Sequence, residues 1–103
     1  MKKLSAVVVG FGSRGSTYAR YALTHPEELE IIAVAEPSPV RQETAKSRHN
    51  IPDERIYSTW EELAAQPKMA DFAIIGTQDN MHYAPALALI EKGYHLQIGR
   101  AHV

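Results

Sequence analysis

Val7-Val8-Val9-Gly10-Phe11-Gly12-Ser13-Arg14-Gly15 is the stretch from which the rest of the chain is read. Three β-branched residues run into Gly-x-Gly-x-x-Gly, and a helical pattern follows. Gly10 lets the chain turn sharply off a strand end. Gly12 has no Cβ, so a pyrophosphate can approach the backbone. Gly15 lets the next helix pack close against the strand. The amide groups and positive end of that helix then face the phosphates. Spacing of this kind acquires meaning only with a strand before it, a helix after it and an acidic residue about 20 positions on.

The surrounding sequence supplies that context. Leu4 to Val9 is an apolar run of strand length, the signature of a parallel strand buried on both faces. A helix is expected over Ser13 to Thr24, with Tyr18, Ala19, Ala22 and Leu23 at helical spacing, ended by His25-Pro26. Glu30 to Ala35 is a second apolar strand, and Glu36 closes it twenty-one positions after Gly15. Ser38 is placed to cap a helix with Pro39 in its first turn, reaching about His49. Arg55-Ile56-Tyr57 reads as a short third strand. Thr59-Trp60-Glu61-Glu62 has capping-box spacing, and Trp60, Leu63 and Ala64 form the buried side of the helix it starts.

Phe72 to Gly76 is the fourth strand, and Thr77-Gln78-Asp79-Asn80 is a polar loop at its C-terminal end. A helix over about Met81 to Lys92 follows, with Tyr83, Ala86, Leu87 and Ile90 on one face and Gly93 as its C-cap. Pro85 is tolerated near the first turn. Tyr94-His95-Leu96 begins a fifth strand. Strict alternation of strand and helix implies an α/β, Rossmann-like, doubly wound parallel sheet of five strands, incomplete at the C-terminus. Ligands on such sheets bind beyond the C-terminal strand ends, where strand order reverses. The glycine turn, Glu36 and the loop 77–80 all lie at such ends.

Size and composition agree with one small domain: 103 residues, 45% hydrophobic and 22% charged. A net charge of −1 offers no basic field for nucleic acid or an anionic membrane. There is no cysteine, which excludes disulfides and thiolate metal sites and suits a reducing, cytoplasmic setting. His25, His49, His95 and His102 show no metal-ligand spacing. Met1-Lys2-Lys3 and the apolar run after it read as a first strand rather than an export signal.

The chemistry these residues suggest is dinucleotide binding. Glu36 is placed to accept hydrogen bonds from the adenosine ribose of NAD, and a carboxylate there disfavours the 2′-phosphate of NADP. Arg41 and Ser38 keep NADP open, because an arginine near the ribose stacks on adenine or pairs with a 2′-phosphate. Arg41 reads equally as a solvated helix charge, and Arg14 as a phosphate contact or a solvated arginine. Thr77, Gln78 and Asn80 read as cofactor ligands or as plain loop chemistry. His82, one turn into the last helix, reads as a packing or surface residue.

Taken together, Val9 to Gly15, Val34-Ala35-Glu36-Pro37 with Arg41, Tyr57 with Trp60 to Leu63, Ala70 to Ile75, Gly76-Thr77 with His82, and Gly93-Tyr94-His95 resemble the Gfo/Idh/MocA family of glucose–fructose oxidoreductase and inositol dehydrogenase. The resemblance covers Leu4 to about Leu96. It implies an N-terminal NAD(P)-binding domain, residues 1–96, from a homo-oligomeric enzyme that moves hydride to or from a sugar- or polyol-like substrate. Phe11, Gly12, Ser13 and Arg14 would then hold pyrophosphate, and Glu36 with Arg41 the adenosine. Thr77, Gln78, Asn80 and His82 would line the edge nearer the nicotinamide.

The chain departs from the family after the fifth strand. Family members have Glu-Lys-Pro there, with a lysine that contributes to the active site; this chain reads Gln97-Ile98-Gly99-Arg100-Ala101-His102-Val103. The second domain and its catalytic histidine are absent too, so no catalytic residue is assigned. Residues 97–103 are read as a non-native tail, since Ile98 to Val103 matches one translated frame of a common sequencing-adapter oligonucleotide. On that reading the chain is an inactive fragment with an unprotected sheet edge, marginally stable or self-associating. Two other readings stand beside it: a non-catalytic NAD-binding or sensing module, and a seat for a different nucleotide-like ligand such as S-adenosylmethionine.

Overall fold

The computed structural model describes residues 3–12, 17, 19–76 and 83–98. Five strands are joined by helices in strict alternation: β1 (Leu4–Val9), α1 (Tyr21–Thr24), β2 (Leu29–Ala35), α2 (Pro39–His49), β3 (Ile56–Tyr57), α3 (Trp60–Ala64), β4 (Phe72–Ile75), α4 (Tyr83–Glu91) and β5 (His95–Ile98). All pairings are parallel, in the order β3-β2-β1-β4-β5. Strand order reverses between β1 and β4. β5 forms one edge and takes in Gln97 and Ile98, the first two residues of the stretch read as a tail.

Alternation along β1 feeds two separate cores. Ala6 and Val8 join Leu29, Ile31, Val34, Ala45, Ile51 and Ile74 under α1 and α2. Val7 and Val9 join Ala33, Ala35, Leu63, Ala73, Ile75 and Leu89 under α3 and α4. Burial on both faces explains why β1, β2 and β4 lack polar alternation. The β1–β2 register slips once: Ala6 pairs with Ile31, but Val7 pairs with Ala33. The extra residue, Ile32, shifts the alternation of β2, so that Val34 returns to the α1–α2 core.

The helix ends follow their capping residues. Ser38 Oγ accepts the Arg41 amide at 3.4 Å at the start of α2, which has Pro39 in its first turn. Asn50 closes α2 in the left-handed region, φ 55°. Thr59 Oγ1 accepts the Glu62 amide at 3.2 Å. The return bond of this capping box goes one residue upstream, from the Ser58 amide to Glu62 Oε1 at 2.9 Å. Gly93, at φ 98°, ends α4.

Two helical faces differ from the sequence expectation. In α4 the buried stripe is Pro85 and Leu89, while Leu87 and Ile90 are 44% and 53% exposed. Near α1, Ala19 and Ala22 are buried but Leu23 is exposed. Burial therefore separates two apolar stripes of α4 that hydrophobicity alone does not distinguish. Leu89→Ala is accordingly expected to cost about 2–5 kcal/mol, and Ile90→Ala within about 1 kcal/mol, in urea unfolding of the chain.

Candidate functional site

The site is built where β1 and β2 end. Past Val9 the ladder continues for one more bond on each side: the Gly10 amide donates to Ala35 O at 2.8 Å, and the Gly76 amide to Val9 O at 2.7 Å. Gly10 then turns the chain at φ 84°, a conformation that disfavours any side chain. The turn drives the Phe11 ring into the α1–α2 core, where it is 2% exposed. Phe11 therefore offers its main chain, not its side chain, to this edge.

Glu36 faces that main chain. Its Oε1 accepts the Phe11 amide at 2.6 Å, and its Oε2 accepts the Ser38 amide at 2.9 Å. The residue is 2% exposed. A buried carboxylate is stable only when its oxygens are hydrogen-bonded, and both are. Its own backbone is held as well: the Glu36 amide donates to Tyr57 O at 2.8 Å, and Gln42 Nε2 donates to Glu36 O at 2.6 Å. One side chain thus ties the glycine turn to the loop that opens α2.

Arg41 comes to the same place from the first turn of α2. A Cβ built on Gly12 would lie 3.3 Å from Arg41 Nη1 and 3.6 Å from Cζ. Among the described residues, the space above Gly12 is therefore bounded by the end of one flexible side chain. Of the predicted site residues, the structure brings Gly10, Phe11, Gly12, Glu36 and Arg41 together. Ser13, Arg14, Gly15, Thr77, Gln78, Asn80 and His82 lie outside the described residues.

Gln42 was not singled out from sequence, and Ser38 and His49 take part here in ways other than those the sequence suggested. The Ser38 amide and Gln42 join the Glu36 cluster, and Gln42 falls at the helical spacing that brings it back over the Ser38 cap. His49, at the end of α2, packs edge-on against the Phe11 ring with centroids 5.8 Å apart. Arg48 Cζ lies 5.9 Å from the same ring centroid. His49 Nε2 is buried without a hydrogen-bond partner among the described residues. Burial, reinforced by the Arg48 charge, lowers the His49 pKa to about 4. A cleft of about 210 Å³ lies beside α2, lined by Gln42, Glu43, Lys46, Asp53 and Ile56, and holds none of the predicted site residues. Among the described residues, no group of three His, Cys, Asp or Glu side chains is arranged to hold a metal ion, and no helix is long and apolar enough to cross a membrane.

A parallel sheet wound in both directions, with a glycine turn at its switch point and a carboxylate closing the neighbouring strand, defines the Rossmann class of dinucleotide-binding domain. The chain belongs to the Gfo/Idh/MocA oxidoreductase family, NAD-binding Rossmann fold, whose family model matches residues 4–98. No curated protein matches the chain in sequence. Among solved structures, it is similar to the WlbA dehydrogenase of Chromobacterium violaceum, in complex with NADH and UDP-GlcNAcA, with 22% identity and a TM-score of 0.83. That match covers 95% of this chain and 27% of the other. Myo-inositol 2-dehydrogenase of Lactobacillus plantarum gives 18% identity and a TM-score of 0.81, over 94% of this chain and 28% of that one. Biliverdin reductase of Synechocystis, in complex with biliverdin and NADP+, gives 19% and 0.76, over 92% and 28%. The chain therefore spans less than a third of the length of these proteins.

Two measurements test the site's construction. Glu36→Ala leaves two inward-facing amides unpartnered and is expected to cost about 2–4 kcal/mol in urea unfolding. For His49, the unfolded chain takes up a proton near the ordinary value of 6.5 and the folded chain only near 4. In that interval the unfolded state binds more protons, so stability falls as pH drops from 6.5 to 4. The melting temperature of the wild type should decline across this window more steeply than that of His49→Gln.

Proposed function

We propose that this chain is the dinucleotide-binding portion of an NAD(P)-dependent oxidoreductase acting on sugar- or polyol-like alcohols. In this reading the chain supplies the cofactor seat, lacks activity by itself, and depends on residues of a longer protein for substrate binding and proton transfer. The observation that carries the seat is the Gly10–Gly12 turn, held open at the switch point by the buried Glu36 clasp. Support for the substrate class comes from the family and from neighbours whose names include an inositol dehydrogenase and a dehydrogenase bound to a UDP-sugar acid.

The residues fit the group. Gly12 presents bare backbone where a pyrophosphate needs close approach, and among the described residues the flexible end of Arg41 is what lies over it. Gly10 and the Glu36 clasp fix the direction of the turn. By the family resemblance Ser13, Arg14 and Gly15 would contribute to phosphate binding, and Arg41 to the adenosine side. By the same resemblance Thr77, Gln78, Asn80 and His82 would contribute nearer the nicotinamide. A nicotinamide cofactor held there would supply hydride-transfer chemistry between an alcohol carbon and the corresponding carbonyl. The chain's own part is to bind and orient, and the group that takes the alcohol proton lies in the rest of the parent enzyme.

Gly12→Ala separates seat from scaffold. Among the described residues the added methyl meets Arg41 alone, at 3.3 Å, and that side chain can swing aside. The variant is expected to melt within about 1 kcal/mol of wild type. Its NAD affinity in calorimetric titration should nevertheless drop ~tenfold or more, because the methyl stands between backbone and phosphate. Unchanged NAD affinity would remove the glycine turn from the seat.

A further inference from the structure

An acidic residue closing the second strand disfavours NADP when its oxygens reach the ribose. In this chain both oxygens are buried and already engaged. Glu36 is 2% exposed, and each oxygen already accepts a backbone amide, at 2.6 Å from Phe11 and 2.9 Å from Ser38. A carboxylate that is buried and held by two main-chain amides is shielded from direct contact with a group arriving from outside. The side chain that does face outward is Arg41. It is exposed, its guanidinium borders Gly12 at 3.3 Å from a Cβ position, and the first turn of α2 carries no acidic residue to offset it.

We propose, resting on the dinucleotide reading above, that Glu36 serves this chain as an internal clasp and not as a filter against NADP. Arg41 sets the preference instead. Its planar fork pairs two oxygens of a 2′-phosphate, or lies flat on adenine when that phosphate is missing. The seat therefore accepts both dinucleotides, and Arg41 contributes more to the phosphorylated one.

Calorimetric titration of the chain with NAD and with NADP tests this, using wild type, Arg41→Ala and Glu36→Gln, each at a temperature where it is folded by circular dichroism. Wild type is expected to bind the two within ~tenfold of each other. Arg41→Ala should weaken NADP ~tenfold or more beyond any change for NAD. Glu36→Gln should weaken both by a similar factor, leaving their ratio within about threefold of wild type. A filter would behave oppositely: Glu36→Gln would improve NADP selectively. That result, rejection of NADP by wild type by more than ~100-fold, or an unchanged ratio in Arg41→Ala overturns the inference while leaving the NAD seat intact. Binding of neither dinucleotide overturns the seat itself and the inference with it. Should Glu36→Gln fail to fold, wild type and the exposed Arg41→Ala variant still decide the matter.

Discussion

A single buried carboxylate gripping two backbone amides organises the ligand-facing end of this molecule. Removing a carboxylate from water costs several kcal/mol unless its lone pairs find donors, so Glu36 is tolerated only with Phe11 and Ser38 where they are. The demand runs in both directions. The Phe11 amide reaches Glu36 because Gly10 adopts φ 84°, and the Phe11 ring is then directed into the α1–α2 core. The Ser38 amide donates to Glu36, and its hydroxyl oxygen accepts the Arg41 amide. Turn, core and helix start thus meet on one side chain.

The sheet beneath prepares this meeting through an irregularity. Ile32 is the extra residue between the pairs Ala6–Ile31 and Val7–Ala33. Without it, Ala35 and not Val34 would face the α1–α2 core. With it, alternation continued one step past Ala35 puts Glu36 on the face of Val34, which is also the face of Phe11. A one-residue slip reverses every side chain beyond it, so the bulge determines on which side of the sheet the carboxylate emerges. The edge on which a ligand would sit is fixed several residues before it.

That dependence explains what the sequence could and could not disclose. Element order was legible because glycine, proline and capping residues punctuate it, and Ser38, Thr59 and Gly93 act as their types predict. The convergence of Gly10–Gly12 with Glu36 was legible from spacing in a parallel sheet. The bulge was not, since Ile31 to Ala35 is uniformly apolar and a slip leaves no mark on the pattern. The phase of α4 was hidden for the same reason: Pro85, Leu87, Leu89 and Ile90 are all apolar, and only packing under the sheet separates Pro85 and Leu89 from the rest. The inward direction of Glu36 was hidden because a glutamate at a strand end ordinarily meets water, and the amides that draw it in belong to residues whose side chains do other work.

The clasp also bears on how such an edge binds. Loops that must be ordered by their ligand deduct that ordering from affinity, whereas loops already joined do not. Here Gly10 to Gly12 and the entry to α2 are linked through Glu36, and Gln42 holds the Glu36 carbonyl. The mobile part is the Arg41 side chain above Gly12, which is cheap to displace and offers a charge at whatever position it takes up. Rigid backbone beneath and one adjustable cation above suits a ligand with an invariant diphosphate and a variable periphery. The division follows from where the hydrogen bonds lie: among the described residues they hold main chain at the turn and not the Arg41 guanidinium.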